Sequence, residues 1–423
     1  MASLETNTIA ATYVGLLKTA DNAVRGAEGS ADQCSDGAGN TIPLFVSATE
    51  VYAIGSGTGT SHTAFGKDCG VDLAAGTGNS LFGEGAGADV TTGEHNVAVG
   101  YHALYQGTTE TDDNVAIGYN AMSGSWTTAA VNDCVVIGSG AGAGALVAAA
   151  SGAVAVGTSA LAALTSGSGN VAVGAFALDA CTDSNNNTAV GHQALTAMTG
   201  SAGITANVAV GFQAGTAITK GRYNTALGYH ALPTDDVGDA STAVGYHALY
   251  SQNSDSDNEV TANVGMGHSA GFYNVTGQNN TSLGYHSGMG TSTKSHSGCV
   301  FIGSKAGERA YTGNNNIAIG YGAMKDVDAD ATVGAAEENI FIGKDSGGGI
   351  WETASSNHNV AVGNFTLDDA MNGASKNVAM GYATLGAITE GTNNTGIGAN
   401  AGDYITTGST NTLIGGEAGS GGV

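Results

Sequence analysis

The stretch NVAVGYHAL at residues 96–104 decides the fold, because the chain repeats it: NVAIGYNAM at 114–122, NTAVGHQAL at 187–195, NVAVGFQAG at 207–215, NTALGYHAL at 224–232 and NTLIGGEAG at 411–419. One motif underlies them all, N-x-x-φ-G-x-x-A-(L/G), where φ is apolar. Twenty copies align on a central glycine, from Gly66 to Gly415; 10 of the 19 intervals are 17 residues, none is shorter, and the longest is 23. Extra residues fall between one motif and the next, as insertions do when they are confined to one corner of a solenoid. The expected fold is all-β, a parallel β-solenoid or β-roll of about 20 coils with a basic 17-residue repeat. It should occupy residues 51–423, behind an N-terminal attachment or capping segment at 1–50. At about 4.8 Å per coil such a shaft would be on the order of 100 Å long.

Composition agrees. Seventy glycines in 423 residues disfavour helix, and two prolines, Pro43 and Pro233, exclude collagen. Apolar residues at 42% are too many for a disordered chain, while aromatics at 6% are too few for one large conventional core. Eleven basic against 36 acidic residues leave a net charge of −25, which argues against nucleic-acid binding. The five cysteines form no CxxC pair and read as free thiols. The N-terminus lacks a basic region before an apolar run, so assembly in the cytoplasm is expected. The uncharged stretch from Cys134 to Leu178 is too rich in small residues for a membrane span, and no membrane insertion is expected.

Within each motif the residue before the glycine is apolar in all 20 copies, and the residue two before it is alanine in 12. This period-two pattern predicts a short strand. A solvated face would carry charge, so both faces are expected to be covered. The larger residues are assigned to the coil interior, where Val210→Asp should break a coil. The small face, with Ala98, Ala116, Ala209 and Ala379, is assigned to an interface between copies of the chain. The glycines, among them Gly100, Gly118, Gly191, Gly211 and Gly228, are expected at tight corners of positive φ. Asparagine opens the motif in 15 copies, and Asn96, Asn114, Asn187, Asn207 and Asn224 are expected to stack as a structural amide ladder. An aromatic follows the glycine in eight copies and predicts a second ladder on one edge.

Chemistry is sparser. Asp326, Asp328, Asp330 and Glu337, in the longest insertion, have the spacing of calcium-loop positions 1, 3, 5 and 12, but Ala331 stands where that loop needs glycine. A solvated acidic loop is the simpler reading, with weak calcium binding as the alternative. Asp255, Asp257 and Glu259 are treated alike. The histidines, including His102, His192, His230, His247, His268 and His286, share a corner with Asn120 and Gln193 and read as polar edge residues. No cofactor and no catalytic residue is assigned. Trp126 and Trp351 lie in insertions, where exposed aromatics would suit a sugar-binding surface.

The motifs NVAVGYHAL, NVAIGYNAM and NVAVGFQAG resemble the head repeats of trimeric autotransporter adhesins, over roughly residues 51–423. They also resemble bacteriophage tail and head fibres, marine-phage fibres especially, whose N-termini are similar to TYVGLLKTADN at 12–22 and DGAGNTIPLFVS at 36–47. The second resemblance covers more of the chain. It implies a non-enzymatic, homotrimeric fibre protein of a virion, assembled in the host cytoplasm. Other virion proteins would hold its N-terminal segment, and it would meet a host-surface glycan or protein. A trimeric cell-surface adhesin head and a tailspike-like glycan depolymerase are the alternatives.

Overall fold

The structure, a computed structural model, describes residues 32–35, 41–46 and 51–54, and residues 62–420 apart from 107–109, 126–129, 148–149, 200–202, 255, 258, 292–294, 310–312, 327–335 and 352–353. It is an all-β parallel solenoid of about 19 turns with roughly 17-residue spacing. Among the described residues there is no α-helix. The chain divides into two compact units, Met1–Ser166 and Gly167–Val423.

In the first unit, Asp32–Ser35 pairs antiparallel with Thr41–Val46. Most of the expected attachment segment at 1–50 lies outside the described residues. The strand Val51–Ile54 runs antiparallel to His62–Phe65, and parallel stacking begins only there. From His62–Phe65 the ladder continues through Ser80–Phe82, Val97–Val99, Val115–Ile117 and Val135–Ile137 to Val154–Val156. In the second unit it runs through every motif from Val171–Val173 to Thr412–Ile414. Equivalent residues pair, Val97 with Val115 and Ala98 with Ala116, so side chains of one type line up in columns. From Ser80–Phe82 onward the motif strands are three residues long because the glycine ends each one.

That glycine makes a corner no other residue fits. Gly100 has φ +131°, and a Cβ added to it would lie 2.5 Å from the carbonyl oxygen of Gly118, the equivalent glycine of the next coil. Past the corner the coils stay joined: the amide of Gly118 donates to Val99 O at 2.8 Å and that of Asn120 to Tyr101 O at 2.9 Å. The second residue after the glycine is itself left-handed, as at His102, Asn120, Gln193, Gln213, His230 and His247. Asparagine and histidine tolerate that region best, which explains their shared column.

The facing of the strand is the reverse of the expectation. Ala98, Ala116, Ala209 and Ala379 have no exposed surface within a single copy; they line the coil interior. The larger flanking residues point outward, Leu227 at 44% and Met266 at 42% exposure, with Val210 half-covered. Those four alanines therefore cannot themselves meet a partner, and Val210→Asp would alter an outer surface, not a core. The reason is space. A coil of 17 residues has little interior, and leucine or methionine at the corner, such as Leu104, Met122 and Leu195, already fills it.

The asparagines form a buried hydrogen-bonded column. Asn96 Oδ1 accepts from the backbone amide of Asn114 at 3.0 Å and from its Nδ2 at 3.1 Å, while Asn96 Nδ2 donates to Thr111 O at 2.5 Å. Asn187 Oδ1 likewise accepts from the backbone amide of Asn207 at 3.0 Å, and Asn207 Oδ1 from that of Asn224 at 2.9 Å. Each side chain thus replaces a backbone bond at a bend where the strand ladder is lost.

At Cys299 and Ser241, where asparagine is missing, another group takes its role. Cys299 Sγ donates to Gly313 O at 3.3 Å and accepts from the amide of Asn316 at 3.5 Å. Burial pushes its thiol up to about 11. The four described side-chain thiols, Cys69, Cys134, Cys181 and Cys299, are free and buried. At Ser241 the missing amide is supplied by Gln252, which donates to Ser241 Oγ at 2.9 Å and accepts from Asn263 Nδ2 at 3.0 Å. Gln252 also donates to the buried carboxylate of Asp235.

Candidate interaction surface

In the 12 coils where alanine takes the inner position, the strand turns two larger side chains outward. The outward residue before the glycine is apolar in every coil, and the outward residue two places earlier is Val, Ile, Thr or Ser. Neither column contains a charge. In the second unit Val173, Leu227, Met266, Leu283, Met380 and Ile397 are exposed in the first column. Parallel sheets are normally covered on both faces, and contiguous apolar patches of this kind mark interaction sites. The remaining surface carries the net negative charge.

Beside this wall stands a column of rings. His192, Phe212, Tyr229 and Tyr246 occupy the position after the glycine in successive coils, with centroids 5.2 to 5.4 Å apart and planes within about 10° of parallel. His268 and Tyr285 continue it at 4.9 and 5.3 Å. In the first unit Tyr101 stacks on Tyr119 at 5.4 Å. Such spacing favours offset stacking and leaves the ring edges facing out.

The other expected sites lie only partly within the described residues. Asp328 and Asp330 lie outside the described residues. Asp326 is 3.7 Å from Arg309 and 3.6 Å from Lys325, so its charge is met by protein cations. Glu337 accepts from Asn314 at 3.5 Å. Asp257 pairs with Lys220 at 2.8 Å. Among the described residues no group of three or more His, Cys, Asp and Glu side chains is placed to hold a metal ion. Trp351, expected in an exposed insertion, is instead buried, edge-on to Phe341 at 5.6 Å, and offers no sugar platform. Trp126 lies outside the described residues.

Two features were missed by the sequence reading. Asp368 is half-buried, and burial, helped by Asp369 and Asp345, pushes its carboxyl up to about 6. Nothing in the motif signals it. The outward apolar wall is the other: period two marks two strand faces, and only the burial of the alanines shows which of them is inside.

No protein family, no curated protein and no solved structure matches the chain.

Proposed function

We propose that the protein is a non-enzymatic structural fibre of a phage virion, homotrimeric, assembled in the host cytoplasm and directed at a host-surface glycan or protein. The observation that carries this reading is the uncharged apolar wall along the outer face of the parallel sheet. Fully burying such a side chain gains about 1.5–3 kcal/mol, so covering the 36–47% that these residues still expose gains roughly 1 kcal/mol each, and a wall repeated along the coils favours self-association. A second copy is the occupant that fits. Its columns repeat at the same spacing, whereas the acidic faces would repel each other. The number three and the virion context come from the resemblance of the repeats, and residues 1–50 are assigned to other virion proteins on the same ground.

Light scattering on the purified chain tests the assembly. Three copies of 41.3 kDa give about 124 kDa, seen as elongated particles in negative stain. The double variant Leu227→Asp with Met266→Asp should release folded monomer. A wild-type protein that stays at 41.3 kDa overturns the reading. Binding of the trimer to host cells, and its absence with variants that release monomer, tests the attachment role.

A further inference from the structure

The ring column changes character in the coils from Gly228 to Gly284. Upstream, the second position after the glycine holds neutral amides, Gln193 and Gln213, joined at 2.6 Å. In the next two coils the same position holds His230 and His247, whose rings are 5.6 Å apart. His268 steps into the adjacent column, 4.9 Å from Tyr246 and 5.6 Å from His286. Aromatic rings enclose the pair: His230 packs on Tyr229 at 4.4 Å and Phe212 at 5.6 Å, and His247 on Tyr246 at 3.8 Å, Tyr250 at 4.7 Å and Phe272 at 5.8 Å.

We infer that His230 and His247 form an acid-sensitive latch: as neutral imidazoles they complete the ring stack that His268 continues, and their protonation loosens the coils between Gly228 and Gly284.

Charge placement supports this. Among the described residues no carboxylate forms a hydrogen bond or ion pair with His230, His247 or His268. The charged groups at this end of the column are Glu308, 3.1 Å from His286, and Lys305, 3.4 Å from Glu308. Glu308 therefore faces His286, whereas the ring of His230 faces that of His247. Burial lowers the affinity of His230 for a proton; burial, then His230 and His268, lower that of His247. A proton on either ring gains from the tyrosine faces, but two such charges one coil apart, on rings 5.6 Å from each other, repel. The sign follows from linkage. With folded values below the ordinary 6.5, His230 and His247 contribute stability that is present above 6.5 and is lost as pH falls through the folded values.

Hydrogen exchange on the full chain, followed by mass spectrometry at about pH 7.5 and about pH 5.5 and corrected for intrinsic exchange, tests the latch. Peptides from residues 225–290 should open about tenfold more at the lower pH, while those from 300–400 should not. The variant His230→Gln with His247→Gln should lose this response, since glutamine is native to the column at Gln213. An equal response in the variant, or none in the wild type, overturns the inference. Should the variant fail to fold, an NMR titration of the wild-type imidazoles decides: values at or above the ordinary 6.5 for His230 and His247 overturn it, and lower values support it.

Discussion

The ring of Phe341 lies over the backbone of Gly347, so close that a Cβ there would be 2.6 Å from the Phe341 Cδ1 and Cε1 atoms. The same pairing recurs wherever the inner strand position is large: Leu81 faces Gly87, Val136 faces Gly142, Phe301 faces Gly307 and Leu413 faces Gly419. Conversely, every coil with leucine or methionine at that corner has alanine on the strand, as Ala98 with Leu104 and Ala379 with Leu385. One interior volume is filled from either side.

Exchange of the two arrangements should therefore be tolerated only as a pair. Gly347→Leu alone overpacks the coil and is expected to cost about 1–3 kcal/mol, and Phe341→Ala alone leaves a cavity worth about 3–5 kcal/mol. The double variant Phe341→Ala with Gly347→Leu recreates the Ala98–Leu104 pair and should recover most of the loss. The left-handed φ of Gly347 adds strain, one that Leu104 already carries at +55°. A double-mutant cycle by chemical denaturation measures the coupling, and strictly additive losses would refute the shared volume.

The thiol at Cys299 performs the work of an asparagine side chain, so Cys299→Asn should match or exceed wild-type stability. Cys299→Ala leaves the amide of Asn316 and the carbonyl of Gly313 short of a partner and should cost about 1–3 kcal/mol. Thermal denaturation of the two variants side by side gives the comparison; equal melting temperatures would show that the column does not need the group.

Inner and outer strand positions should respond differently to charge. Ala209→Asp places a carboxylate in the coil interior and should abolish folding, seen as lost β-sheet circular dichroism and rapid trypsin cleavage. Val210→Asp, one residue on, should keep the circular dichroism signal. If both variants unfold alike, the assignment of faces is wrong.

Asp368 provides a pH test with a defined sign. Its carboxyl is raised from 3.8 to about 6, so it favours the folded state only when protonated; that contribution is present below 3.8 and is lost as pH rises through about 6. Asp368→Asn should raise the melting temperature at neutral pH, and the gain should vanish by about pH 4. A gain that persists unchanged at acidic pH would mean that burial of the charge is not its cause.

Much of this was legible in the residues. The 17-residue period, the positive-φ glycine and the asparagine column follow from local rules that act at the same place in each coil. The complementarity of Phe341 with Gly347 was also written in the motif, in its alternation between A-L and A-G endings, but its meaning needs two positions read together. Gln252 was out of reach: it stands 11 residues from Ser241 in an insertion, and only folding shows that its amide fills the gap in the column.

By itself, then, the sequence determined that the chain coils, where each coil turns and what stacks along it, because identical neighbours impose identical geometry. Only the tertiary structure decided which strand face is inside. Period two marks two faces without naming them, and the choice rests on whether a corner leucine leaves room for more than a methyl group. That competition for a narrow interior sends the valines, isoleucines and tyrosines to the surface, where the protein has its apolar wall.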